Sequence, residues 1–127
     1  MNITVTNLES DISTIHEIML QSFSEYKYDD IPSSALMETT HSIKDAFNNG
    51  ECALIAYQEN KAIGMLRFQT EQTDLYFYRL SVIPAYQGQG IARKLVECVI
   101  ENAKKSNKKL IADCSYARIV LERQNRK

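Results

Sequence analysis

Apolar residues recur along this chain with two different periods, and the switches between them outline its elements. "NITV" alternates over a few residues, which suits an opening strand. From Asp11 the spacing lengthens: Ile12, Ile15, Ile18, Met19 and Phe23 lie at helical intervals, predicting a helix over 11–24 with Asp11 or Ser13 as its cap. The polar stretch "SEYKYDDIPSS", with Pro32, reads as a connection. A second helix is expected from Ser34 to Asn48, closed by "NNG", where Gly50 suits the left-handed conformation that ends helices. "ECALIAYQENKAIGMLRFQ" then gives two strand-like runs about a turn at 58–61. "DLYFYRLSVI" is a third run, rich in aromatic and β-branched residues. If it is regular, Tyr76, Tyr78, Leu80 and Val82 share one face and Phe77 and Arg79 the other. Helical spacing returns with Ile91, Leu95, Val96, Val99 and Ala103, predicting a helix over 90–106. "KLIADC" follows as a short buried-type strand, and "SYARIVLERQ" opens a last helix. The order β-α-α-β-β-β-α-β-α is a mixed α/β layout.

With 127 residues, 44% of them hydrophobic and 24% charged, the chain fits one soluble domain, residues 1–127. No apolar run reaches the roughly 18–20 residues of a membrane helix, and the start lacks the pattern of a signal peptide, so a cytoplasmic location without membrane contact is expected. Cys52, Cys98 and Cys114 are odd in number and show no CxxC spacing, which implies neither a disulfide framework nor a metal site. The net charge of −1 hides an asymmetry. Residues 1–92 carry 5 basic and 12 acidic side chains, and residues 93–127 carry 10 basic and 4 acidic ones. A basic final third suits an anionic partner, either a phosphorylated small molecule or nucleic acid, and equally a solvated helix face with a charged tail.

Two of the chain's four glycines, Gly88 and Gly90, stand one residue apart where the third strand-like run hands over to a helix. A helix start presents unpaired backbone N–H groups and the positive end of its dipole. Glycines there remove the Cβ atoms that would hold a diphosphate away from those amides, and Ala92 keeps the first turn small. A Walker loop is absent, and Gly88-Gln89-Gly90-Ile91-Ala92-Arg93 lacks the third glycine of the dinucleotide fingerprint.

The run "LSVIPAYQGQGIARKLV" resembles motif A of the GNAT (GCN5-related) N-acetyltransferase superfamily, (Arg/Gln)-x-x-Gly-x-(Gly/Ala) after a strand and a proline. Gln87, Gly90 and Ala92 occupy those places behind Pro84, and the element order fits nearly the whole chain. The resemblance implies a mixed central sheet flanked by helices. It also implies binding of acetyl-CoA, with no metal, and transfer of acetyl to a primary amine on a small molecule or protein. The pyrophosphate would lie on the amides of Gln87, Gly88, Gln89, Gly90, Ile91 and Ala92, with Arg93 adding charge. Main-chain groups of the segment Leu80, Ser81 and Val82 would align the pantetheine arm, and the Val82 amide would polarise the thioester. The family uses a bulge around residues 78–81 to part this strand from the next.

For proton transfer the candidates are Tyr76, Tyr78 and Tyr116, and Cys114 at a strand end is a candidate acyl carrier. Glu38 and Arg67 are further candidates for touching an acceptor, while His16 and His41 fall on predicted helices, where packing or solvent is the commoner role. One departure from the family pattern stands out. Where its Asn-x-x-Ala-x-x-x-Tyr pattern falls on "CSYARIVLERQ", Ala117 matches, but Cys114 replaces the asparagine and Leu121 the proton-donating tyrosine. The family normally adds two further strands, and without them "KLIADC" is expected to be an open edge that invites pairing with a second copy of the chain in a homodimer. A domain that binds acetyl-CoA with little turnover is therefore a second reading. A nucleic-acid module built on "KKSNKK" is a third, disfavoured because no aromatic residues interleave with its charge.

Overall fold

A computed structural model describes residues 1–24 and 38–125. Its elements run β1 (Asn2–Thr6), α1 (Ile12–Ser24), α2 (Thr40–Asn48), β2 (Cys52–Gln58), β3 (Lys61–Thr70), β4 (Asp74–Val82), α3 (Ile91–Lys105), β5 (Lys109–Ala112) and α4 (Ser115–Asn125). Among the described residues this is the order expected from the sequence. Short 3₁₀ turns at Glu9–Asp11 and Pro84–Tyr86 lead into α1 and toward α3. Among the described residues no helix is long and apolar enough to cross a membrane, and no group of three or more His, Cys, Asp or Glu is placed to hold a metal.

The second helix starts later than its spacing predicts. Residues 34–37 lie outside the described ones, and helical structure begins at Thr40 because Thr39 caps it. The Thr39 hydroxyl accepts from the Ser42 amide at 3.1 Å, and the Ser42 hydroxyl accepts from the Thr39 amide at 2.9 Å. This reciprocal pair satisfies two amides that the helix cannot.

The five strands pair in sequence order, β1 to β4 antiparallel and β5 parallel to β4, with α3 as the crossover that a parallel pair requires. Both faces of the sheet are covered. Ala53, Ile55 and Met65 pack with Ile15, Ile18 and Met19 of α1 and with Ile43 and Phe47 of α2. Leu54, Leu66, Phe68 and Phe77 pack with Leu95, Val96 and Val99 of α3 and with Ala117 and Val120 of α4. Burial on two sides is why β2 reads as the continuous apolar run "CALIAY" rather than an alternating one.

Strand β4 departs from regular alternation. Its register to β3 runs Arg67↔Tyr78 and then Met65↔Ser81, so Arg79 and Leu80 together oppose the single residue Leu66. The extra residue is a β-bulge, with Arg79 at φ +54°. It reverses which side chains face which layer. Leu80 and Val82 join Leu75 and Phe77 against α3 and α4, which leaves Tyr76 and Tyr78 on the opposite face. The single-face arrangement of Tyr76, Tyr78, Leu80 and Val82 is thereby corrected.

Candidate active site

The corner between β4 and α3 is built from backbone. Gly88 and Gly90 both sit at φ +81°, a conformation L side chains rarely adopt, and among the described residues a Cβ on either would meet nothing within 4 Å. The corner therefore opens onto space rather than onto protein. Gly90 caps α3 with no side-chain hydrogen bond, and the first turn holds no acidic residue. The leading amides and the positive end of the helix dipole are left facing outward, an arrangement that suits an anion.

Beside the corner, β4 and β5 part company. Their ladder covers Asp74–Phe77 and Lys109–Ala112, and its last link is the Asp113 amide donating to the Phe77 carbonyl at 2.8 Å. From Tyr78 onward β4 has no partner strand on that side among the described residues. The Ile83 amide donates to the Ile63 carbonyl at 2.9 Å. Paired groups alternate along an antiparallel ladder, so the N–H and C=O of Val82 point away from β3 and into the gap. A cavity of ≈ 370 Å³ occupies this region, bounded by Val82, Tyr86, the glycine corner and one face of α4.

Of the residues expected to hold a cofactor, Val82, Gln87, Gly88, Gly90, Ile91, Ala92 and Arg93 line this cavity. Leu80, Ser81 and Gln89 lie outside its lining. Leu80 is buried in the core, and the buried Ser81 hydroxyl donates to the Arg79 carbonyl at 3.0 Å. Of the four candidates for chemistry, Tyr116 lines the cavity, whereas Tyr76, Tyr78 and Cys114 do not. Cys114 caps α4, its Sγ accepting from the Ala117 amide at 3.4 Å. Leu121, where the family pattern places a tyrosine, packs against the main core.

Sequence reasoning named Tyr116 but missed the rest of the wall that α4 supplies. Tyr116, Val120, Arg123 and Gln124 recur at helical spacing along one face of it and line the cavity. That spacing was a readable signal. The Gln124 side-chain amide donates to the Arg93 carbonyl at 2.7 Å and ties α4 to the first turn of α3. Arg93 also pairs with Glu97 at 3.3 Å, both half-exposed.

On the opposite face of the sheet lies a cluster of charge. Arg67, 3% exposed, donates through Nη2 to Oε2 of the fully buried Glu51 at 2.9 Å and through Nη1 to Oε2 of Glu38. The same Glu38 oxygen accepts from Nε of Arg79 at 3.4 Å, and its other oxygen accepts from the Ser42 hydroxyl at 2.9 Å. Burial works to raise the Glu38 pKa, but the bond and charge of Arg67, the Ser42 hydroxyl and the charge of Arg79 hold it below the usual carboxylate value. Tyr78 stands with its ring 5.9 Å from the Arg67 guanidinium. Burial, then the bond to Glu51 and its charge, push the Tyr78 phenol far above its ordinary pKa. Both expected acceptor contacts, Glu38 and Arg67, are thus engaged with each other.

The family model of the GCN5-related N-acetyl-transferases matches residues 52–127. No curated protein sequence matches the chain. Among solved structures, a ribosomal-protein-alanine N-acetyltransferase from Brucella melitensis biovar Abortus 2308 superposes with a TM-score of 0.72 at 15% identity, covering 97% of this chain and 90% of its own. PaiA N-acetyltransferase from Thermoplasma acidophilum, in complex with coenzyme A, gives 0.65 at 19% identity over 84% of this chain and 74% of its own. An aminoglycoside acetyltransferase from an uncultured soil metagenomic sample, in complex with sisomicin, gives 0.69 at 18% identity over 98% and 84%. The structural likenesses establish the shared fold. Since the matched stretch runs from β2 through α4 and contains the glycine corner, the bulge and the parting of β4 from β5, the chain belongs to the GCN5-related N-acetyltransferase family.

Proposed function

We propose that this protein transfers the acetyl group of acetyl-CoA to a primary amine. The observation that carries the reading is the corner at Gly88 and Gly90, held at positive φ, open to space and set at the start of α3 beside the free edge of β4. A diphosphate fits that corner through the amides of residues 87–92, and a pantetheine arm fits the gap along the free edge of β4 as an added strand would. Arg93 and Arg123 at the cavity supply positive charge for a phosphorylated coenzyme.

The chemistry follows from what the gap offers. An alkylammonium of pKa ~10.4 must first lose its proton to water. The neutral nitrogen then attacks the thioester carbon, whose oxygen the Val82 amide polarises. As the C–N bond replaces the C–S bond, the departing thiolate takes a proton from the Tyr116 hydroxyl, and the proton that the new amide nitrogen sheds returns through water to the Tyr116 oxygen. Tyr78 and Cys114, outside the cavity lining, are given no step.

Leu121 supports a second reading, a domain that binds the coenzyme and turns over little, because a core-packed leucine stands where the family places its acid. Calorimetry with acetyl-CoA on wild type and Gly90→Glu tests the common part. Binding by wild type and a loss beyond about tenfold in the variant are expected, since a carboxylate at positive φ clashes with both backbone and diphosphate. Equal affinity would move the coenzyme elsewhere. Thiol release with polyamines, amino acids and peptides as acceptors then separates enzyme from binding domain.

A further inference from the structure

The conformation of Arg79 is costly for an L residue, and its hold comes from across the sheet. At φ +54° an arginine is strained, as no side chain but glycine's escapes the Cβ contact there. Its side chain reaches Glu38, and Glu38 is fixed by Ser42 at the start of α2 and by Arg67 of β3. Arg67 is in turn fixed by Glu51, just before β2. Three segments distant in sequence, residues 38–42, Glu51 and Arg67, are therefore linked through Glu38 to the one residue that β4 inserts.

We propose that Glu38 is a positioning residue: by gripping Arg79 it holds the β4 bulge, and through the bulge it sets the strand edge that receives the acyl arm of the coenzyme. The inference rests on the reading of the corner and gap as the coenzyme site. Its physical basis is parity. Side chains and backbone groups alternate along a strand, so the inserted residue decides that Leu80 and Val82 pack toward α3 and that the Val82 amide faces the gap rather than β3. A charge cluster on one face of the sheet thus controls what the other side presents to a ligand. When the grip is lost, the bulge samples other conformations, and apparent affinity falls by the fraction of chains that remain competent.

The test compares two side-chain deletions that differ by one methyl group. Arg79→Ala removes the grip and leaves a residue that resists positive φ, whereas Arg79→Gly removes the same grip and accepts that φ freely. In calorimetry with acetyl-CoA on the full chain, Glu38→Gln and Arg79→Ala are each expected to bind about tenfold more weakly, and Arg79→Gly within about twofold of wild type. Adding Glu38→Gln to Arg79→Gly is expected to cost nothing further. A role in fold stability alone would lower the melting temperature of both Arg79 variants and would not separate them in binding. The proposal is overturned if Ala and Gly at position 79 bind alike, if Glu38→Gln binds as wild type, or if Glu38→Gln costs as much in the Arg79→Gly background. Should Glu38→Gln fail to fold, the Ala and Gly pair decides. Should wild type fail to bind acetyl-CoA, the coenzyme reading falls, and the grip is judged on the free protein by NMR. Cross-strand proton contacts of Met65 with Ser81 and of Arg67 with Tyr78 are then expected in wild type and Arg79→Gly and weakened in Arg79→Ala. Equal contacts in all three would refute the grip.

Discussion

The side-chain amide of Gln87 donates to the main-chain carbonyl of Val82 at 3.0 Å, so the first residue of the glycine turn is tied to the last residue of β4. One bond joins the part of the site proposed for the diphosphate to the part proposed for the thioester. Gln87→Ala frees the turn, and its ordering must then be supplied on binding. Affinity for acetyl-CoA is expected to fall about threefold to tenfold, the range set by the net worth of one neutral hydrogen bond. Titration calorimetry reads this directly, and unchanged affinity would mean that the tie does not shape the site.

Gly64 of β3 lies under the start of α3. A Cβ there would stand 3.1 Å from Cγ2 of Ile91 and 3.2 Å from the Ser81 carbonyl oxygen. The first neighbour opens α3 and the second belongs to the bulged stretch of β4, so neither yields without moving the corner. Gly64→Ala is expected to destabilise the fold by about 1–3 kcal/mol, as overpacking does. Urea unfolding measures it, and weaker coenzyme binding should accompany the loss.

The same glycine illustrates what the sequence made legible. Gly88 and Gly90 stood out because they follow an apolar strand and stand just before a helical pattern, a purely local signal. Gly64 sits within "KAIGMLRFQ" like any strand glycine, and its reason is a helix that crosses from 27 residues further on. Element order was readable because the two hydrophobic periods differ clearly. The start of α2 was misplaced because Thr39 and Ser42 cap the helix inside a stretch whose spacing already looked helical. The facing of β4 was misread for a deeper reason: a bulge reverses alternation, and what fixes this one is Glu38, 41 residues away. Glu38, Glu51, Arg67 and Arg79 carry no shared motif, and only folding brings them together.

Tyr116 is the proposed proton donor to the thiolate. Tyr116→Phe keeps the ring against the cavity and removes the hydroxyl. It should lower kcat about a hundredfold, within the usual range for one acid–base group, with the KM for acetyl-CoA nearly unchanged. Thiol release under saturating acceptor measures both. Tyr78 should add no alkaline limb to the rate profile, because burial and Glu51 keep its phenol protonated well above neutral pH. A rise in the KM for acetyl-CoA with kcat unchanged would make Tyr116 a packing residue instead.

The charge cluster should also leave a mark on stability at acid pH, with a sign that can be worked out. Glu38 has its folded pKa depressed below the ordinary carboxylate value of 4.5, against the pull of burial, by Arg67, Ser42 and Arg79. The folded state therefore binds the Glu38 proton less readily than the unfolded state does. Its contribution is present above the unfolded value and is lost as pH falls through the lower folded one. In urea unfolding from pH 7 downward, wild type should lose its advantage over Glu38→Gln as the pH drops below about 4.5, the unfolded carboxylate value. A constant gap across that window would mean that the Glu38 charge contributes nothing. Arg67→Met probes the other end of the cluster, leaving the fully buried Glu51 without its cation. That variant should lose about 3–5 kcal/mol at neutral pH, as expected when one partner of a buried pair is removed. Urea unfolding at pH 7 measures the loss, and a midpoint equal to that of wild type would mean that the buried pair adds nothing to stability.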